Sequence, residues 1–466
     1  MRGIVYRIMT RLSFLDRERS VAAPGFNRWR VPPAALAIHL CIGQAYAFSV
    51  FKIPLSKLIG VTDAAPDDWK LSTIGWVFSC AIVFLGLSAA VFGAWLERVG
   101  PRRAMFTSAC CFAGGFFVGA VGIATHQFWL LLAGYGVLGG IGLGIGYISP
   151  VSTLIKWFPD RPGMATGMAI MGFGGGAMIA SPLSLALMNA FKTPATPGVV
   201  ESFVALGAIY FLFMMFGAFT VRVPASGWKP AGWVPGPARS LVTTANVEVN
   251  EAMRTRQFWL LWVILCLNVT AGIGILEQAS PMIQEIFKGR VLPAAAAGFV
   301  SLLSLANMGG RFAWSSLSDR IGRRATYFIF FALGGALYAS LPTVAATPSV
   351  PLFVLVCVVV LTMYGGGFAT IPAYLRDLFG TMQVGAVHGR LLTAWSTAGV
   401  LGPVLVNYIR EYQVAHGVAR ADAYNVTMYV MAVLLGVGFT ANLMVTAVDP
   451  KHYFHGSLTG AGGARG

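Results

Sequence analysis

Apolar residues run through this chain in long blocks, and polar or charged residues are gathered into the short breaks between them. Cutting at the charged and Gly/Pro-rich breaks leaves twelve apolar spans, at about 32–58, 71–95, 104–124, 129–155, 164–190, 201–221, 257–287, 293–317, 325–345, 351–375, 388–410 and 423–447. Each is near the ~20 residues that an α-helix needs to cross a hydrocarbon core. Each also holds too few polar residues for a soluble helix with one wet face. The pattern predicts an all-α polytopic membrane protein with twelve transmembrane helices. Composition agrees, with 56% hydrophobic and 11% charged residues, against about 25% charged in soluble domains.

Charge sets the orientation. Of the 33 Lys and Arg residues, 24 fall in the tails and in the breaks after even-numbered spans, 8 on the opposite side, and one, Arg311, inside a span. Basic residues stay cytoplasmic, so both termini are expected to face the cytoplasm from an inner (plasma) membrane. The net charge of +16 then reports topology and contact with anionic lipid. Nucleic acid is not an expected partner, because the cations are scattered over short loops. The basic amino tail has no apolar core followed by a cleavage site and does not read as a secretory signal. Six cysteines without a CxxC pair predict no disulfide or metal framework, and no cofactor is expected.

The chain repeats itself. Glu97-Arg98-Val99-Gly100 matches Asp319-Arg320-Ile321-Gly322, and Pro150 matches Pro372, both 222 residues apart. The repeat predicts two pseudo-symmetric six-helix bundles, 32–221 and 257–447. They are joined by a linker at 222–256 and flanked by tails at 1–31 and 448–466. The first part of the linker is rich in Pro, Gly and Trp and reads as extended; Asn246 to Gln257 reads as a short amphipathic helix.

Doubled halves with a matching acidic-plus-basic loop resemble the major facilitator superfamily (MFS), over residues 32 to 447. The resemblance implies that Gly93, Glu97, Arg98, Arg102, Arg103, Asp319, Arg320, Arg323 and Arg324 latch helices together on the cytoplasmic side; the alternative is that the charged ones only anchor topology. A closer resemblance, to the oxalate:formate antiporter family with its bacterial monocarboxylate carriers, rests on GQAYAFSVFKIPL (43–55), KWFPDRPGMATGMAIMGFGGGAM (156–178), NMGGR with SDRIGRR after it, and GGGFATIPAYLRDLFG (365–380).

Arg311 lies roughly 12 Å along the helix from Asp319, a depth at which an arginine costs at least ~2.5–3.5 kcal/mol and usually marks function. Ser304, Asn307 and Arg311 share one helical face. A guanidinium there offers a carboxylate two charge-assisted hydrogen bonds, and the resemblance implies the same anchor. The alternative, a structural ion pair, needs a nearby acid. In animal monocarboxylate carriers an acid occupies the place of Asn307. Glu277, the one acidic residue well inside a span, is a candidate for carrying protons, although it would equally be solvated or neutralised by a neighbour.

Trp395 stands where the oxalate-carrying branch is implied to supply a lysine, and no Lys or Arg lies between Arg390 and Arg410. One anchor cation predicts one carboxylate, since an uncompensated second charge is expensive. Trp395 would form an apolar wall, or serve only as packing. Tyr147, Tyr364, Tyr46 and Gln44 are candidate lining residues. Lys52 sits too near the outer end to bind substrate. Animal carriers keep a lysine two residues earlier, where this chain has Val50, so their proton relay is not carried over. His39, in the first turns of span 1, reads as a packing histidine.

These residues predict a monomeric carrier of a small monocarboxylate (formate, lactate, pyruvate or similar), coupled to protons or a counter-anion. An oxalate-type dicarboxylate exchanger is the alternative. An enzyme is disfavoured because clustered polar partners are absent from the spans, and a sensor because the tails are short.

Overall fold

The computed structural model describes residues 14–234 and 241–454, and these are almost entirely helical. Twelve long helical segments follow one another. We number them α1 (Pro32–Ile42 continuing through Gly43–Ala47 and Ser49–Leu55), α2 (Leu71–Val99), α3 (Pro101–Ala124), α4 (Phe128–Trp157), α5 (Pro162–Phe191), α6 (Val199–Thr220), α7 (Arg256–Ile286), α8 (Pro293–Ile321), α9 (Arg323–Ala346), α10 (Val350–Phe379), α11 (Val384–Ala415) and α12 (Asn425–Leu443). Among the described residues, ten of these are long and apolar enough to span a membrane, and the bent α1 makes eleven. The remaining one, α8, is 29 residues long and carries Asn307, Arg311 and several serines.

The repeat seen in sequence extends to the boundaries of three helix pairs. Helices α8, α9 and α10 begin and end 222 residues after α2, α3 and α4, and α11 begins 222 residues after α5. Gly100 and Gly322, at φ +85° and +90°, make the same sharp turn in each half. A side chain at either position would be strained.

Three spans are interrupted. α1 bends by 45° after a 3₁₀ turn at Gly43–Ala47, α4 contains a π-helical stretch at Leu132–Gly139, and α11 breaks at Leu392. The π stretch holds Gly134, Gly136 and Gly139. A Cβ on Gly134 would come within 2.6 Å of the Gly119 nitrogen on α3, so this wide turn lies where two backbones touch.

Within each half, α6 packs on α3 and α12 on α9 at the periphery. The halves meet through α5 against α8 and α10, and through α11 against α2 and α4. Both described chain ends lie on one face. Ala22 N–H donates to the Val223 carbonyl (2.9 Å) and Phe454 N–H to the Asn246 carbonyl (2.8 Å). The linker is largely extended, clips onto the end of α10 (Thr243 N–H to Asp377 O, 2.8 Å; Val247 N–H to Phe379 O, 2.9 Å), and then forms a helix at Val249–Arg254, shorter than the sequence suggested.

Candidate functional site

Arg311 sits where the two halves meet, near the middle of α8, with no exposed surface. Its Nε donates to Asn307 Oδ1 one turn earlier (3.1 Å), and Nη1 donates to the Ile170 carbonyl of α5 (3.4 Å). Nη2 is buried without a partner. Phe173 and Phe368 place ring faces 5.7 and 5.1 Å from the guanidinium carbon. Glycines permit this approach: a Cβ on Gly174 would stand 3.0 Å from Arg311 Nε, and one on Gly365 2.1 Å from the Asn307 carbonyl oxygen. Among the described residues no carboxylate pairs with Arg311. Ser304, on the same face, bonds back to the Val300 carbonyl (3.1 Å).

An aromatic layer surrounds this cation. Trp395 lies 5.3 Å from Tyr147, 5.3 Å from Phe173 and 4.6 Å from Phe368, centroid to centroid. Tyr46 packs on Phe173 and its hydroxyl meets that of Tyr364 at 3.5 Å across the two halves. The hydroxyls of Tyr46 and Tyr147 lie within electrostatic reach of Arg311. The Tyr147 hydroxyl and Trp395 Nε1 are buried without hydrogen-bond partners, like Arg311 Nη2. An unsatisfied buried donor costs about 1–3 kcal/mol, and the Arg311 guanidinium within reach of the Tyr147 hydroxyl offsets part of that here. Chemically, the layer sets a cation and hydrogen-bond donors beside apolar ring faces, an arrangement that can receive a small acceptor-rich group with a short apolar part.

Gln44 is placed differently from the sequence expectation. It accepts a hydrogen bond from Tyr135 (2.9 Å), inside a Phe48–Phe116–Phe203 cluster of the amino-terminal half, because residues two apart on a helix face different sides and Tyr46 takes the side toward the other half. The side chain of Glu277 lies outside the described residues. Phe173, Phe368 and His388 belong to the layer and escaped the sequence reading. Phe173 and Phe368 sit inside glycine-rich runs that carry little information alone, and His388 stands at the edge of a span whose helix begins earlier, at Val384.

The hydrogen bonds that join the halves, among the described residues, run from this layer toward the face bearing the described chain ends. Glu97 Oε1 accepts from the Gly385 amide at the start of α11 (3.1 Å), while Lys156 and Ser152 hold the same carboxylate at 2.6 and 2.9 Å. Asp319 does the equivalent in the other half. It accepts from the Gly163 and Met164 amides at the start of α5 (2.8 and 2.9 Å) and pairs with Arg323 (2.6 Å). Each acid therefore meets the positive end of a helix in the opposite half. A Cβ on Gly93 would lie 2.8 Å from Ala386 Cα, so α2 and α11 touch there. Of the remaining loop cations, Arg102 donates to the Phe14 carbonyl and Arg103 pairs with Asp16, which holds the amino-terminal segment. Arg324 reaches the Leu443 carbonyl at the end of α12, and Arg320 is exposed. These four do not bridge the halves. A groove of about 1590 Å³ lies beneath the linker on this face, lined by Glu97, Lys156, Asp319 and Arg323; the Arg311 layer is not part of it.

A family model described as Major Facilitator Superfamily matches residues 34–403. The oxalate:formate antiporter of Oxalobacter formigenes is 28% identical, over 81% of this chain and 83% of that protein. Apicoplast pyruvate carrier 1 of Toxoplasma gondii is 25% identical, over 70% and 68%. Monocarboxylate transporter 13 of Bos taurus is 24% identical, over 80% of each. Among solved structures, the transporter FucP in the outward conformation superposes with a TM-score of 0.63 at 15% identity, covering 89% of this chain and 98% of that one.

Proposed function

The chain belongs to the Major Facilitator Superfamily, and from that premise we propose that it is a secondary carrier moving a small monocarboxylate across the inner membrane by alternating access. The observation that carries this is Arg311, buried between the halves with Asn307 in place of a fixed counter-charge and with Nη2 unpaired. A substrate carboxylate would accept from the guanidinium and from the Tyr147 hydroxyl, while Phe173, Phe368 and Trp395 enclose a one- to three-carbon body such as that of formate, lactate or pyruvate. Tyr46 and Tyr364 would close the layer from the far side. Glu97 and Asp319 would hold the face with the termini, taken as cytoplasmic, shut in the arrangement described.

Coupling is to protons or to a counter-anion, with Glu277 one candidate for the proton. Likeness to the oxalate:formate antiporter favours a second reading, dicarboxylate exchange. Against it, no second cation follows Arg390 before Arg410 on α11, and a dianion would leave one charge uncompensated. Uptake by proteoliposomes of labelled formate, lactate, pyruvate and oxalate, with and without a pH gradient or internal anion, tests both. Monocarboxylate uptake that oxalate does not displace supports the proposal; preferred oxalate uptake overturns it.

A further inference from the structure

His39 lies in α1 one helix away from Arg311, fully buried, and its surroundings are unusual for a packing residue. Nδ1 faces the Ala169 carbonyl of α5, and Nε2 faces the Tyr147 carbonyl of α4 at 3.1 Å. The Gly146 carbonyl also interacts with the ring, and it is free to do so because Pro150, four residues on, has no N–H to offer it. A neutral imidazole donates once, which leaves a lone pair against a carbonyl. The imidazolium donates from both nitrogens and satisfies both acceptors. The Tyr147 ring stacks on it at 5.2 Å, a favourable place for a cation. The two carbonyls suit a positive charge, while burial and Arg311 oppose it.

The charges nearby decide when that charge is present. α5 carries no ionisable residue between Arg161 and Lys192, α4 contributes Tyr147, and α6 contributes Tyr210 beside Cys41. From the other half, Arg311 and His388 both lie within electrostatic reach of His39. His388 faces the Tyr147 ring at 5.8 Å with neither ring nitrogen paired. A protonated His39 beside an unneutralised Arg311 is repelled, and a carboxylate on Arg311 removes that repulsion.

We infer that His39 is the proton-binding residue of the carrier, loaded when a carboxylate neutralises Arg311; this rests on the carboxylate reading above. The proton comes from the aqueous side to which the site is open and adds to an imidazole nitrogen, with no other bond made or broken. Anion and proton then cross together as a neutral pair. Arg311 and His388 belong to the opposite half, so relative movement of the halves changes the charge around His39. Proton affinity therefore differs between them, as coupling requires.

The test is calorimetric. Binding of pyruvate to the purified full chain is measured in buffers of differing ionisation enthalpy, whose slope counts protons taken up. The wild type should take up about one proton per pyruvate near pH 7. His39→Gln and His39→Asn, which each replace one ring nitrogen with an amide, should bind with little proton uptake; either variant suffices if the other does not fold. Equal uptake in a folded variant and the wild type overturns the proposal alone, whereas no pyruvate, lactate or formate binding by the wild type overturns the carboxylate reading and this proposal together.

Discussion

At the scale of single residues, the decisive feature is a guanidinium whose planar fork is only partly used. Nε and Nη1 are occupied by Asn307 and the Ile170 carbonyl, and Nη2 has no hydrogen-bond partner. Lysine would keep the charge but lose the fork. Charge-assisted hydrogen bonds contribute about 1.5–3 kcal/mol each, so Arg311→Lys should lower carboxylate uptake roughly 10- to 100-fold while leaving folding intact by size-exclusion profile. Near-normal uptake in that variant would remove Arg311 from the site. The burial of Arg311 was legible from sequence alone, because it lies so far from the loop that closes its helix. Phe173 and Phe368 were not legible: with 32 phenylalanines in the chain, only the fold distinguishes those that face the cation.

At the scale of elements, the two halves are joined at helix starts, and the proposed gate would rest there. Asp319 accepts from the first amides of α5, and Glu97 from that of α11. Losing such a cap costs about 0.5–2 kcal/mol. Asp319→Ala should therefore shift the carrier toward opening on the terminus face. A cysteine replacing buried Ala386, in a chain stripped of its native cysteines, should then react with maleimide several-fold faster; an unchanged rate would show that the cap does not hold the gate. On the opposite face, loop 1–2 depends on Asp68. Partial burial opposes its charge, but the amides of Ile59, Ala65 and Gly60 outweigh that and hold its carboxyl below the usual range. A depressed carboxylate stabilises the loop above its ordinary titration range and loses that contribution as pH falls through the folded value. Protection of the Ile59, Gly60 and Ala65 amides, taken as their exchange relative to the intrinsic rate at each pH, should fall on acidification below about pH 4, and Asp68→Asn should show the lower protection already at pH 7.

At the scale of the whole molecule, the two halves and their 222-residue repeat were readable because charge, proline and glycine punctuate each half in the same order. The interruptions in α1, α4 and α11 were not, since a 3₁₀ or π turn is set by how closely a neighbouring backbone approaches, and hydropathy carries no record of that. The same close approaches make rocking of the halves testable. Ser152 on α4 and Gly385 at the start of α11 belong to opposite halves, and a Cβ on Gly385 would lie 3.0 Å from the Ser152 Cβ. Disulfides favour a Cβ separation of about 3.5–4.5 Å, so a small relaxation lets cysteines at both positions bridge. If transport requires this face to open, oxidation of a Ser152→Cys, Gly385→Cys double variant should abolish uptake, and reduction should restore it. Each single variant treated the same way should be unaffected. Substrate binding from the opposite side should survive the cross-link, because the bridge fixes the gate without touching the Arg311 layer. Uptake that persists in the fully cross-linked protein would mean that the halves do not separate here during transport.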